Sequence, residues 1–141
     1  MDPTPLANSQ RLGAHRTLNT RHAEELTRVA GSFDFILNTT NADLDWNAYL
    51  TTLKPRGRLH TVGAVPSPMA MIAFPMISGQ KSLSASPLGS PATTGTMLNF
   101  SARHGIAPTT ETFPMSRAND ALEHLRAGKA RYRIVLVNDL G

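Results

Sequence analysis

Apolar and polar positions along the chain alternate between two periods. Residues 5 to 13 place Leu6, Ala7, Gln10 and Leu12 at helical spacing, which predicts a short helix capped by Gly13. Residues 16 to 19 read as a brief strand. Asn19 or Thr20 then caps a helix carrying Ala23, Leu26, Val29 and Ala30, which stops at Gly31. The run Phe33-Asp34-Phe35-Ile36-Leu37-Asn38 predicts a strand with polar Asn38, Thr39, Thr40 and Asn41 at its carboxyl end. Trp46, Tyr49, Leu50 and Leu53 form the next helical stripe, ended by Pro55 and Gly57, and residues 58 to 62 the next strand.

Three prolines between Pro66 and Pro75 predict an irregular loop. A strand over 81–86, a helix over 92–104 stopped by Gly105, an extended segment over 110–115, a helix from a Ser116 cap to Ala127 closed by Gly128, and an apolar strand over 132–137 complete the chain. Strand and helix alternate, which predicts an α/β fold with a parallel sheet and crossover helices.

Composition narrows the classes. Hydrophobic residues make up 40% and charged residues 17% of the 141, the balance of one ordered domain. The net charge of +4 comes from cations scattered singly, and aromatic residues are only 6%, so a nucleic-acid surface is not expected and a phosphate or carboxylate ligand explains the surplus as well. The chain has no cysteine, which excludes disulfides and thiolate metal sites. No apolar run is long enough to cross a bilayer and Met-Asp-Pro-Thr-Pro does not read as a leader, so the expected location is cytoplasmic.

The ordered set Leu12-Gly13-Ala14, Phe33 to Thr39, Leu53-Lys54-Pro55-Arg56-Gly57-Arg58, Val62-Gly63-Ala64, Ile77 to Ser82 and Tyr132-Arg133-Ile134-Val135 resembles the cinnamyl-alcohol-dehydrogenase-like branch of the zinc-type medium-chain alcohol dehydrogenases, in its C-terminal coenzyme-binding part. The resemblance implies a partial Rossmann-like sheet over 1–109, then a C-terminal segment, 110–141, resembling the return to the catalytic domain. The Gly-rich turn G-x-G-x-x-G that holds a pyrophosphate does not occur, nor do the first strands of that sheet. The expected function is therefore that of a truncated NAD(P)-dependent alcohol-dehydrogenase-like protein. Its affinity for NAD or NADP should be weak or lost, zinc absent, and dehydrogenase turnover absent for the chain alone.

The resemblance also assigns positions. Thr39 and Thr40 lie near the coenzyme ribose, Val62, Gly63 and Ala64 run past the nicotinamide ring, and Ser84, Ala85 and Ser86 offer backbone to its carboxamide. Arg133 approaches the phosphates, with Arg131 as a rival. Strand 81–86 implies a homodimer through a sheet edge. The segment from Thr110 onward should keep apolar surface exposed.

Further expectations concern the sheet and alternative chemistry. Strands 33–38, 58–62 and 81–86 should pair in parallel in that order. The free edge of 33–38 should be covered by 16–19, by 132–137 or by a second molecule. The five histidines lack the spacing of a helical zinc site, and packing or surface roles are expected for them. No G-x-S-x-G elbow occurs, although a triad of a serine, His60 and Asp34 or Asp43 is open to a fold that brings them together.

Overall fold

The structure, a computed structural model, describes residues 5–141. Residues 1–4, read above for a leader, lie outside it, as do the side chains of Pro5 and Leu6. The chain divides into two compact units, residues 1–88 and 89–141.

In the first unit, helix α1 (Pro5–Arg11) and helix α2 (Ala23–Arg28) precede strand β1 (Phe33–Asn38). Helix α3 (Trp46–Thr52), strand β2 (Leu53–Thr61), helix α4 (Ala73–Ser78) and strand β3 (Ser82–Ala85) follow. The strands form one sheet in the order β1-β2-β3, parallel throughout, as expected from their sequential crossovers. Asp45 starts α3 by accepting a hydrogen bond from the Ala48 backbone N–H (3.1 Å). The spacing of Trp46 and Leu50 then carries one apolar stripe onto the sheet, where it meets Leu53 and Leu59 of β2 in the buried core. At the other end of α3 the Lys81 ammonium donates to the Leu50 carbonyl (2.5 Å), satisfying one of the last-turn oxygens.

Pairing in register assigns the two faces of the sheet. Ile36, Leu59 and Leu83 line up on one, and Leu59 joins it to α3. Leu37, His60 and Ser84 line up on the other, where Phe35 and Leu37 are exposed by more than half.

Several expectations are corrected. Residues 16–19 form no strand: Asn19 turns the chain instead, its carbonyl accepting from His22 N–H and its Oδ1 from Arg21 N–H. Helix α2 accordingly begins at Ala23 without a side-chain cap from Asn19 or Thr20. Strand β2 starts at Leu53 rather than at Arg58, because Leu53 already pairs with Phe33 and the surplus residues up to Arg58 are absorbed in an irregularity with Arg56 at φ 64°. The expected loop around Pro66–Pro75 ends in α4, which includes Pro75; that residue lies in the first helical turn, where no backbone N–H has an intrahelical partner to lose.

In the second unit, helix α5 (Pro91–Arg103) is capped by Ser90, whose hydroxyl accepts from Thr93 N–H (3.2 Å), and Pro91 supplies a pre-set φ at its first position. At its other end Gly105 takes φ 63°, and Ile106 N–H reaches back to the Ser101 carbonyl. Strand β4 (Thr110–Pro114), a 3₁₀ turn (Met115–Arg117), helix α6 (Ala118–Arg126) and strand β5 (Arg133–Val137) make a parallel β-α-β unit. Strand β5 therefore pairs with β4 and not with β1, whose outer edge has no strand beside it among the described residues. Val135 and Val137 remain exposed, in line with the apolar surface expected after Thr110.

Ser116 does not cap α6. It sits in the 3₁₀ turn and donates its hydroxyl (2.5 Å) and its backbone N–H (2.9 Å) to the Asp139 carboxylate. These bonds favour the charged form, the hydroxyl contributing most, and hold the Asp139 carboxyl below its ordinary value of 3.8. A carboxylate depressed in the folded state stabilises above its unfolded pKa, and that contribution is lost as pH falls through the folded value. An NMR titration of Ser116→Ala is therefore expected to return Asp139 upward toward 3.8. An unchanged titration would show that the hydroxyl is not the cause.

Candidate functional site

The carboxyl ends of the three parallel strands converge on Asn38. Its side chain is buried; Nδ2 donates to Thr61 Oγ1 (3.0 Å) and Oδ1 accepts from Thr40 N–H (3.0 Å), while its carbonyl accepts from Val62 N–H (3.0 Å) and Gly63 N–H (3.2 Å). One residue thus ties the loop after β1 to the loop after β2. Ser86 N–H donates to the Thr61 carbonyl (3.3 Å), bringing the segment after β3 alongside.

The two loops touch through backbone. A Cβ on Gly63 would stand 2.0 Å from the Thr40 carbonyl oxygen and 2.7 Å from its carbon, so only glycine admits this approach. Thr39, Val62 and Ala64 are exposed beside the contact. A cavity of about 220 Å³ opens next to it, lined by Asn38, Thr39, Thr40, Leu44, Trp46 and Tyr49 among others. Small-molecule pockets usually occupy roughly 300–1,000 Å³, so this space is smaller than most of them.

Of the residues expected to touch coenzyme, Thr39, Thr40, Val62, Gly63, Ala64, Ser84, Ala85 and Ser86 all lie at or just beyond the carboxyl ends of β1, β2 and β3. Arg133 opens β5 in the second unit and is exposed, whereas Arg131 donates to the Gly128 and Ala130 carbonyls (both 3.0 Å). In the sequence Asn38 reads only as a polar strand end, because its tie depends on Thr61, which is far away in sequence.

In sequence, residues 2–103 match the profile of a family described as zinc-binding dehydrogenase. The chain belongs to the zinc-binding dehydrogenase family. Aldehyde reductase AdhA from Synechocystis sp. is 49% identical over 125 residues, covering 89% of this chain and 37% of the relative. NADP-dependent alcohol dehydrogenase C 1 from Mycolicibacterium smegmatis is 40% identical over 126 residues, 89% of this chain and 36% of its own length. A solved structure of a cinnamyl alcohol dehydrogenase from Sorghum bicolor superposes with a TM-score of 0.87 at 32% identity, over 96% of this chain and 38% of the other. This zinc-binding dehydrogenase chain therefore spans somewhat more than a third of the length of the curated relatives it matches.

The family's name implies zinc, and the donors of this chain do not fit it. The sequence has no cysteine, and among the described residues no three His, Asp or Glu side chains stand close enough together to hold a metal ion. A triad with Asp34 or Asp43 is not assembled either: Asp34 pairs with the Lys54 ammonium (2.8 Å) and Asp43 accepts from the Ser67 hydroxyl (3.0 Å). No helix among the described residues is long and apolar enough to cross a membrane.

Proposed function

We propose that this chain forms the nicotinamide-facing part of a coenzyme crevice, binds NADPH or NADH weakly, and does not interconvert alcohol and aldehyde by itself. The observation that carries this reading is the backbone contact between Gly63 and Thr40, which sets two strand-end loops side by side with the segment 84–86. In open parallel sheets, ligands bind beyond the carboxyl ends of the strands. Thr39 and Thr40 then present hydroxyls to a ribose, Val62-Gly63-Ala64 forms the wall along the nicotinamide ring, and backbone of Ser84, Ala85 and Ser86 reaches its carboxamide. Bound coenzyme would supply the hydride; these residues would orient the ring. Relatives described as NADP-dependent support the choice of ligand class.

Affinity is low because the sequence offers no G-x-G-x-x-G turn for the pyrophosphate. A calorimetric titration with NADPH is expected to give one saturable event with Kd near 1 mM, about −4 kcal/mol. No heat and no change in Trp46 fluorescence up to about ten times that concentration would overturn the reading.

A second proposal follows from β3, which ends the sheet and, among the described residues, leaves one edge without a neighbouring strand. Pairing of this edge with its copy gives a homodimer. Sedimentation velocity is expected to show the dimer at high protein concentration, and a strict monomer would contradict it.

A further inference from the structure

The sheet face turned away from α3 carries a side-chain arrangement that the coenzyme reading, which uses only the backbone of 84–86, leaves unemployed. His60 Nδ1 stands 2.8 Å from Ser84 Oγ, and Nε2 stands 2.9 Å from Ser86 Oγ. The ring lies stacked against Phe35, with centroids 6.1 Å apart and planes at 25°. A neutral imidazole has one N–H and one lone pair, so with a serine at each nitrogen one serine accepts and the other donates. Ser84 is half-buried within β3, whereas Ser86 is exposed just beyond it. With Nδ1–H donating to Ser84, the accessible Ser86 hydroxyl donates to the basic Nε2. Nucleophile, base and an orienting group on the base's far side are then in line, with a hydroxyl where a carboxylate is more usual.

The chemistry this supports is limited by two features of the same site. A neutral orienting group stabilises an imidazolium less than a carboxylate does. The Ser86 N–H is bound to the Thr61 carbonyl (3.3 Å) and so is not free to hold an oxyanion. Only acyl groups on good leaving groups qualify. The exposed side chains of Phe35 and Leu37 on this face give an aryl group apolar surface to lie on.

We propose that Ser86 is a nucleophile activated by His60 that takes an acyl group from aryl esters of short acids. Ser86 Oγ bonds to the ester carbonyl carbon as its proton passes to His60 Nε2. The bond from that carbon to the aryl oxygen breaks, the aryloxide leaves with the bonding pair, and the imidazolium returns the proton to it. The products are O-acyl-Ser86 and a phenol; Ser84 positions the ring throughout.

The full chain is mixed with p-nitrophenyl acetate, quenched in acid and mapped by peptide mass spectrometry, counting only hydroxylamine-sensitive serine esters. Acetyl is expected on Ser86 ahead of every other serine. In His60→Gln the rate of Ser86 labelling should fall at least about tenfold, and in Ser84→Ala by less, with far-UV circular dichroism confirming that each variant folds. In the unaltered chain, Ser86 labelled no faster than Ser67 or Ser90 would overturn the proposal whatever the variants do. So would equal rates with and without His60.

Discussion

A Gly63→Ala chain is expected to lose about 3 kcal/mol of stability, read as an earlier denaturant midpoint of Trp46 fluorescence. The added carbon would stand 2.0 Å from the Thr40 carbonyl oxygen and 2.9 Å from its nitrogen. Those are backbone atoms held by Asn38, whose Oδ1 binds Thr40 N–H and whose carbonyl binds Gly63 N–H, so neither loop yields without breaking hydrogen bonds. Trp46 is the chain's one tryptophan and lies in the core of the first unit, so its emission reports that unit. Gly95, inside α5 with open space where a Cβ would go, is the control: Gly95→Ala should leave the Trp46 transition unmoved. An unshifted Gly63→Ala transition would mean that the loops do not meet as described.

Leu59→Ala should cost about 2–5 kcal/mol, because the side chain is wholly buried in the middle strand of the sheet. Typical domains hold only about 5–15 kcal/mol in all. The core it belongs to is small: Trp46, Leu50 and Leu53 complete its fully buried part. Leu88→Ala, at a position 97% exposed, should change stability by less than about 0.5 kcal/mol. Comparable losses at the two positions, in urea titrations of both variants, would contradict the assignment of the core to this sheet face.

The parallel order of β1, β2 and β3 was legible because each strand has a strong local pattern and the crossovers are short. Runs such as 33–38 and stops such as Gly105 act within a few residues. Failures came where a distant partner decides. Residues 16–19 have the composition of a strand but no ladder to join, and Leu53 leaves its helix pattern because Phe33 offers a partner. Ser116 reads as a cap until Asp139, from the end of the chain, takes both its hydroxyl and its N–H.

At the site, the segments that the family resemblance assigns, 39–40, 62–64 and 84–86, stand at or just beyond the carboxyl ends of strands that the pattern already marks. What the resemblance could not locate is how they are tied together. The Asn38–Thr61 and His60–Ser84 contacts join different strands in register, and a sequence carries no mark of register until the strands are paired.

The central claim is that the strand-end loops of this unit form a nicotinamide site, and ¹H–¹⁵N correlation spectra during an NADPH titration test it residue by residue. Fast-exchange shifts, saturating in the millimolar range, are expected at the amides of Thr39, Thr40, Val62, Gly63, Ala64, Ser84, Ala85 and Ser86, with α1 and α2 silent. Shifts confined to other surfaces, or none at all, would contradict it.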